Sequence, residues 1–172
     1  MRGTSLACVL CLATLPAYAQ QEQLDGADQV VGLFGATCLH FAGDVQGLRG
    51  FLHQQKAPEM PQQARDAFLA GRPGDVFDVS YRTVKLALVS LDDGACEAVV
   101  ENADAQQVLA VLGQAAHENN VTLTPLGSAA TPKDRPGVQQ TAFGLNLDGR
   151  QMHVLVSTAA APPQAVLTLV PK

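Results

Sequence analysis

The chain contains no tryptophan, and only 5% of its residues are aromatic. Carbohydrate subsites and single-strand nucleic-acid grooves depend on aromatic faces for stacking, so this scarcity argues against both. Charge is also thin, at 16%, and contains no basic run; 11 Lys and Arg stand against 16 Asp and Glu, a formal net charge of −5. Such a chain gains little from phosphate backbones or anionic lipid, so neither nucleic acid nor a membrane surface is an expected partner. No stretch approaches the about 20 apolar residues that a permanent transmembrane helix requires.

Catalytic signatures are missing as well. Ser80, Ser90, Ser128 and Ser157 lie outside any Gly-x-Ser-x-Gly or Ser-x-x-Lys setting. Gly32, Gly35 and the glycines between Gly43 and Gly50 form neither a Walker pattern nor a strand–Gly-x-Gly–helix unit. His40, His53, His117 and His153 are spaced too widely for a local zinc motif, and the spaced Asp-x-Asp-x-Asp-Gly calcium loop is absent. No cofactor or metal is expected.

What the sequence does carry begins at its first residues. Met1-Arg2 is a short basic start, Ser5 to Leu15 is small and apolar, and Ala17-Tyr18-Ala19 has the small-x-small pattern of a signal-peptidase site. Residues 1–19 read as a signal peptide cleaved between Ala19 and Gln20, leaving residues 20–172 as a single globular domain in the periplasm. Loss of Arg2 leaves ten basic against 16 acidic residues, a formal net charge of −6. Neither leader cysteine suits lipid anchoring: the apolar stretch before Cys8 is too short, and Cys11 follows Leu10 where a small residue is needed. No stable membrane anchor is expected.

The mature chain retains Cys38 and Cys96, an even pair in an oxidising compartment, which predicts one disulfide closing a loop of roughly 59 residues. Gln20 to Ala27 reads as a polar tail, and Asp28 as the cap of a helix carrying Val30, Val31, Leu33, Phe34, Cys38 and Phe41 at helical spacing. Gly32 and Gly35 weaken that helix unless they admit a close neighbour. Asp44 caps a second segment with Val45, Leu48, Phe51 and Leu52 on one face. Pro61 opens a third, with Ala64, Ala67 and Phe68 inward.

From Asp75 the period shortens to that of strands. Val76–Tyr81, Thr83–Leu91 and Cys96–Glu101 read as strands, the last two joined by the Asp92-Asp93-Gly94 turn. Asp104 caps a helix built on Val108, Leu109, Val111 and Leu112. Strands follow over Val121–Leu126, Thr141–Leu147, Gln151–Thr158 and Ala165–Val170, with an Asp148-Gly149 hairpin turn. Grouped rather than alternating elements indicate an α+β fold: N-terminal helices packed on a mostly antiparallel sheet, a further helix between strands, and one disulfide.

Two sets of polar residues are candidate binding sites: Asp92 and Asp93 at the hairpin tip, with Glu97, Glu101 and Asp104 nearby, and Lys133, Asp134 and Arg135 in the loop from Gly127 to Gly137. A catalytic alternative takes Cys38 as a nucleophile with His153 as its base. The position of Cys38 on an apolar stripe argues against it, because a reactive thiolate needs accessible, electropositive surroundings.

Phe34-Gly35-Ala36-Thr37-Cys38 and Gly94-Ala95-Cys96 together resemble a group of exported proteobacterial proteins that share a signal peptide, a Phe-x-x-x-Cys helix and a Gly-x-Cys opening of a strand. That resemblance implies export but brings no activity with it. Small exported α+β domains with one disulfide include immunity proteins that neutralise delivered toxins, an analogy of type and size. The expected function is therefore a non-enzymatic exported binding protein of inhibitor or immunity type, its partner another exported protein such as a toxin or an enzyme. The alternatives are a thiol-dependent cell-wall or peptide hydrolase and an accessory subunit of an envelope or secretion complex.

Overall fold

A computed structural model describes residues 17–128, 137–147, 149–160 and 163–172. Over these residues the chain is α+β, with helices α1 (Ala17–Phe34), α2 (Val45–Gln54), α3 (Gln62–Leu69) and α4 (Ala105–Glu118). Its strands are β1 (Gly74–Asp78), β2 (Leu86–Leu91), β3 (Cys96–Glu101), β4 (Leu123–Ser128), β5 (Val138–Leu147), β6 (Arg150–Ala160) and β7 (Pro163–Pro171).

The seven strands form one sheet in the order β1-β2-β3-β7-β6-β5-β4, and every neighbouring pair is antiparallel. The chain meanders through β1, β2 and β3, crosses along α4 to the far edge, and meanders back until β7 pairs with β3. Both edges are protected against pairing with another chain. The Pro58–Met60 segment covers β1: the Met60 N–H donates to the Val76 carbonyl (2.9 Å) and the Asp78 N–H to the Pro58 carbonyl (2.8 Å). At the other edge β4 carries Pro125 and a register shift between Pro125 and Gly127.

One face of the sheet, the front, carries α1, α2 and α4, whose Val30, Phe34, Leu48, Leu52, Val108 and Leu112 pack on Leu86, Leu88, Val154 and Leu167. The back carries α3, with Phe68 and Leu69 over Val76, Ala87, Val89 and Val99. Covered on both sides, β2 is buried at every residue, whereas β7 alternates between buried and half-buried positions.

Several expectations need correction. Gln20–Ala27 is not a tail but part of α1, and Asp28 is an exposed mid-helix residue and not a cap. Helix-compatible Gln, Glu, Leu and Ala continue the helix upstream, and Ala27 is fully buried. Neither Gly32 nor Gly35 admits a close neighbour: a Cβ there would meet nothing within 4 Å, and one at Gly26 would make only ordinary contact with Val100 (3.6 Å) and Ala103 (3.8 Å). The helix runs on through a π-helical turn, Gly35–Leu39. In α3 Phe68 packs inward as expected and Leu69 joins it, but Ala67 is exposed. The strand expected over Val76–Tyr81 stops at Asp78, and Thr83–Lys85 lies outside β2, because Arg82 adopts φ 54° in a tight turn closed by Tyr81 and Val84.

Cys38 and Cys96 form the expected disulfide, with Cα atoms 5.4 Å apart. It joins the π-turn to the first residue of β3 and is buried on both sides. Beside it the buried Thr37 hydroxyl donates to the Leu33 carbonyl at 2.6 Å, satisfying itself within its own helix. A second tie comes from α2, whose Arg49 donates to the Ser90 hydroxyl (3.2 Å) and carbonyl (2.8 Å) and pairs with Asp75 (3.0 Å) and Asp92 (2.6 Å). Among the described residues no helix is long and apolar enough to cross a membrane.

Candidate functional site

The back of the sheet is only partly covered. Helix α3 starts after Pro61, whose extended backbone (ψ 148°) leads into the first turn, and ends where Ala70 (φ 49°) and Gly71 (φ 82°) both turn left-handed. That reversal brings Arg72 back under the helix. Its Nε and Nη2 donate to the Leu69 and Phe68 carbonyls at 3.1 and 3.2 Å, filling acceptors that a helix end leaves free. Its Nη1 and Nη2 also reach the two carboxylate oxygens of Glu97 on β3, at 2.6 and 3.3 Å. One side chain thereby fixes where α3 ends on the sheet.

Beyond Arg72 no described residue covers the sheet, which forms a groove of about 740 Å³. Its floor consists of two cross-strand rows set by register. Glu97 is opposite Thr168, which is opposite Leu155; Val99 is opposite Val166, then Ser157, then Gln140. At about 4.8 Å per strand spacing, the floor from β3 to β5 is roughly 14 Å wide, enough for a helix of about 10 Å diameter beside α3.

The groove's charge is fixed. The hydrogen bond that Arg72 donates to Glu97 raises the Arg72 pKa above its ordinary value against the opposing effect of burial, and the charges of Glu97 and Asp93 reinforce it. Arg72 is therefore a permanent cation already matched by Glu97, and Asp93 is left as the second acidic group on the lining. The Ser157 hydroxyl accepts from the Gln140 amide at 2.9 Å and so has an amide, not a base, beside it. This surface can offer apolar contact, hydrogen bonds and negative charge to an apposed molecule.

The residues singled out from the sequence fall in different places. Asp93 lies on the groove, where its carboxylate also accepts the Ala95 N–H at 3.0 Å and holds the β2–β3 turn. Asp92 instead faces α2 and pairs with Arg49. Lys133, Asp134 and Arg135 lie outside the described residues. Cys38 and His153 are not brought together: the Cys38 sulfur is bonded to Cys96 in the front core, and His153 is in register with Gly144 and Val170 on the back. Among the described residues no group of three or more His, Cys, Asp or Glu could hold a metal ion.

Sequence reasoning missed Arg72, Leu155, Val166 and Thr168. Their signal was present in β6 and β7, where Leu155, Val166 and Val170 put apolar side chains at positions alternating with the core face. Comparison of the chain with family models, curated proteins and solved structures finds no match.

Proposed function

We propose that the protein is an exported binding protein of inhibitor or immunity type, acting in the periplasm on another exported protein. The observation that carries this reading is the sheet face beside α3, which no described residue covers. Helix α3 lies on one part of the back, and beside it is a floor of mixed apolar and hydrogen-bonding side chains. A helix of the partner fits there, its apolar stripe on Leu155 and Val166 and its basic residues toward Asp93. The net charge of −6 after leader removal favours encounter with such a basic partner. The leader-like first residues and the buried disulfide agree with work in an oxidising compartment.

The test replaces Leu155 and Val166 together by arginine, which roughens and recharges the floor without entering the front core. The native protein is expected to elute from a gentle envelope extract in a stoichiometric complex with one exported protein, and the double variant, still folded, to elute alone. A complex unchanged by the double substitution would remove the groove from the account.

A further inference from the structure

A second cavity, of about 330 Å³, opens on the front of the sheet between the C-terminal part of α1, the π-turn, the end of α4 and the edge strands. Its walls are Val31, Phe34, Leu112, Leu123, Leu145 and Val154, with further apolar neighbours. Among the described residues its polar side chains are those of His40 and Asn119, both exposed and so at the mouth. The space is hollow because the residues above it are small: Gly35, Ala115 and Ala116 line it, and a Cβ at Gly35 would meet nothing within 4 Å.

Well-packed interiors hold few voids larger than a water molecule, and a hollow this size falls in the range of ligand pockets. The π-turn that bounds it points the same way, since single π-turns within α-helices occur frequently at functional sites. Here the turn presents Gly35 and Leu39 to the cavity while Thr37 and Cys38 stay in the core.

We infer that this cavity binds one unbranched alkyl chain with a hydrogen-bond-donating end. If each carbon takes the ~30 Å³ that a water molecule occupies in the liquid, the volume holds roughly ten carbons. That suits a free single-chain amphiphile and is too small for a two-chain lipid. The end group is set by the mouth. His40 lies in the last turn of the helix that continues through the π-turn to Phe41, and Asn119 is the C-terminal cap of α4, so the negative ends of two helix dipoles lie at the mouth. One N–H of the Asn119 amide donates to the Ala115 carbonyl at 2.8 Å, which holds the side chain in place with its oxygen able to accept. A hydroxyl or ammonium end is matched at this mouth, and a carboxylate is opposed. The site is independent of the groove on the back.

The test is calorimetric titration of the full protein with decylamine, decanoate and butylamine, each below its micelle concentration. One-site saturation by decylamine is expected, at least tenfold tighter than by either other compound. Ala116→Phe and Gly35→Leu, which fill the cavity from two elements, should each weaken decylamine at least tenfold, and Ala116→Phe should not lower the urea midpoint. Absence of saturable decylamine binding, a preference for decanoate, equal binding of butylamine, or unchanged affinity in the filled variants would overturn the inference.

Discussion

Arg72 and Glu97 form a two-pronged ion pair on the back of the sheet, and the same guanidinium closes the C-terminus of α3. The Glu97 side chain is 14% exposed and that of Arg72 38%, so the carboxylate depends on its partner more than the cation does. Arg72→Ala leaves that carboxylate short of its donors and the helix end open. We expect a loss of about 1–2 kcal/mol, moderated by solvent at the exposed end. Hydrogen exchange should quicken in α3. Arg72→Lys keeps the charge but not the fork, and should fall between the two.

The disulfide is expected to be the largest single contributor. In the chain-entropy model a loop of this length is worth about 4 kcal/mol. Replacing Cys38 and Cys96 together by alanine should lower the unfolding free energy by that order in urea titration. A reductant should shift the native protein toward the variant and leave the variant itself unmoved.

Arg49 makes a comparable tie on the front. Ser90 is 1% exposed, and both its hydroxyl and its carbonyl accept from Arg49. Arg49→Ala leaves those acceptors buried with one partner fewer and frees Asp75 and Asp92, at an expected cost of about 2 kcal/mol. Asp92→Asn, which alters only the exposed arm of this network, should cost well under half of that.

One acid-dependent effect follows from Asp78. The Ser80 side-chain hydrogen bond, then the Ser80 backbone N–H at 3.0 Å, and the charge of Lys85 hold its pKa below the ordinary carboxylate range, against a small effect of burial. The unfolded chain therefore takes up this proton first as the pH falls. The stability that Asp78 adds is fully present above about pH 4 and is lost as the pH drops through the lowered folded value. Asp78→Asn should be less stable than the native protein at neutral pH, and the gap should close below about pH 4 in urea midpoints measured across that range.

The elements most legible in the sequence are those with local signals. Asp104 caps α4 by accepting from Gln106 and Gln107, Asp44 caps α2 by accepting from Gly47, and Gly94 takes the positive φ that its turn needs. The pairing of Cys38 with Cys96 followed from their being the two cysteines outside the leader-like residues 1–19. The far-reaching features were not legible. Nothing local tells that α4 crosses three strands to reach β4, or that β7 returns to β3, and those two facts create the open floor. The π-turn left no mark either, because Gly35 to Leu39 keep the same apolar spacing that an ordinary turn would show. Arg72 looked like one surface charge among several until the reversal at Ala70 and Gly71 aimed it at Glu97.

The most direct test of the account is site-specific photocrosslinking in the cells that make the protein. A photoreactive residue is placed in turn at Leu155 and Thr168 on the groove floor, and at Gln46 and Gln114 on the exposed faces of the front helices. The account predicts one crosslinked exported protein from positions 155 and 168 and none from 46 and 114. Crosslinks only from the front positions, or equal yields from all four, would contradict it.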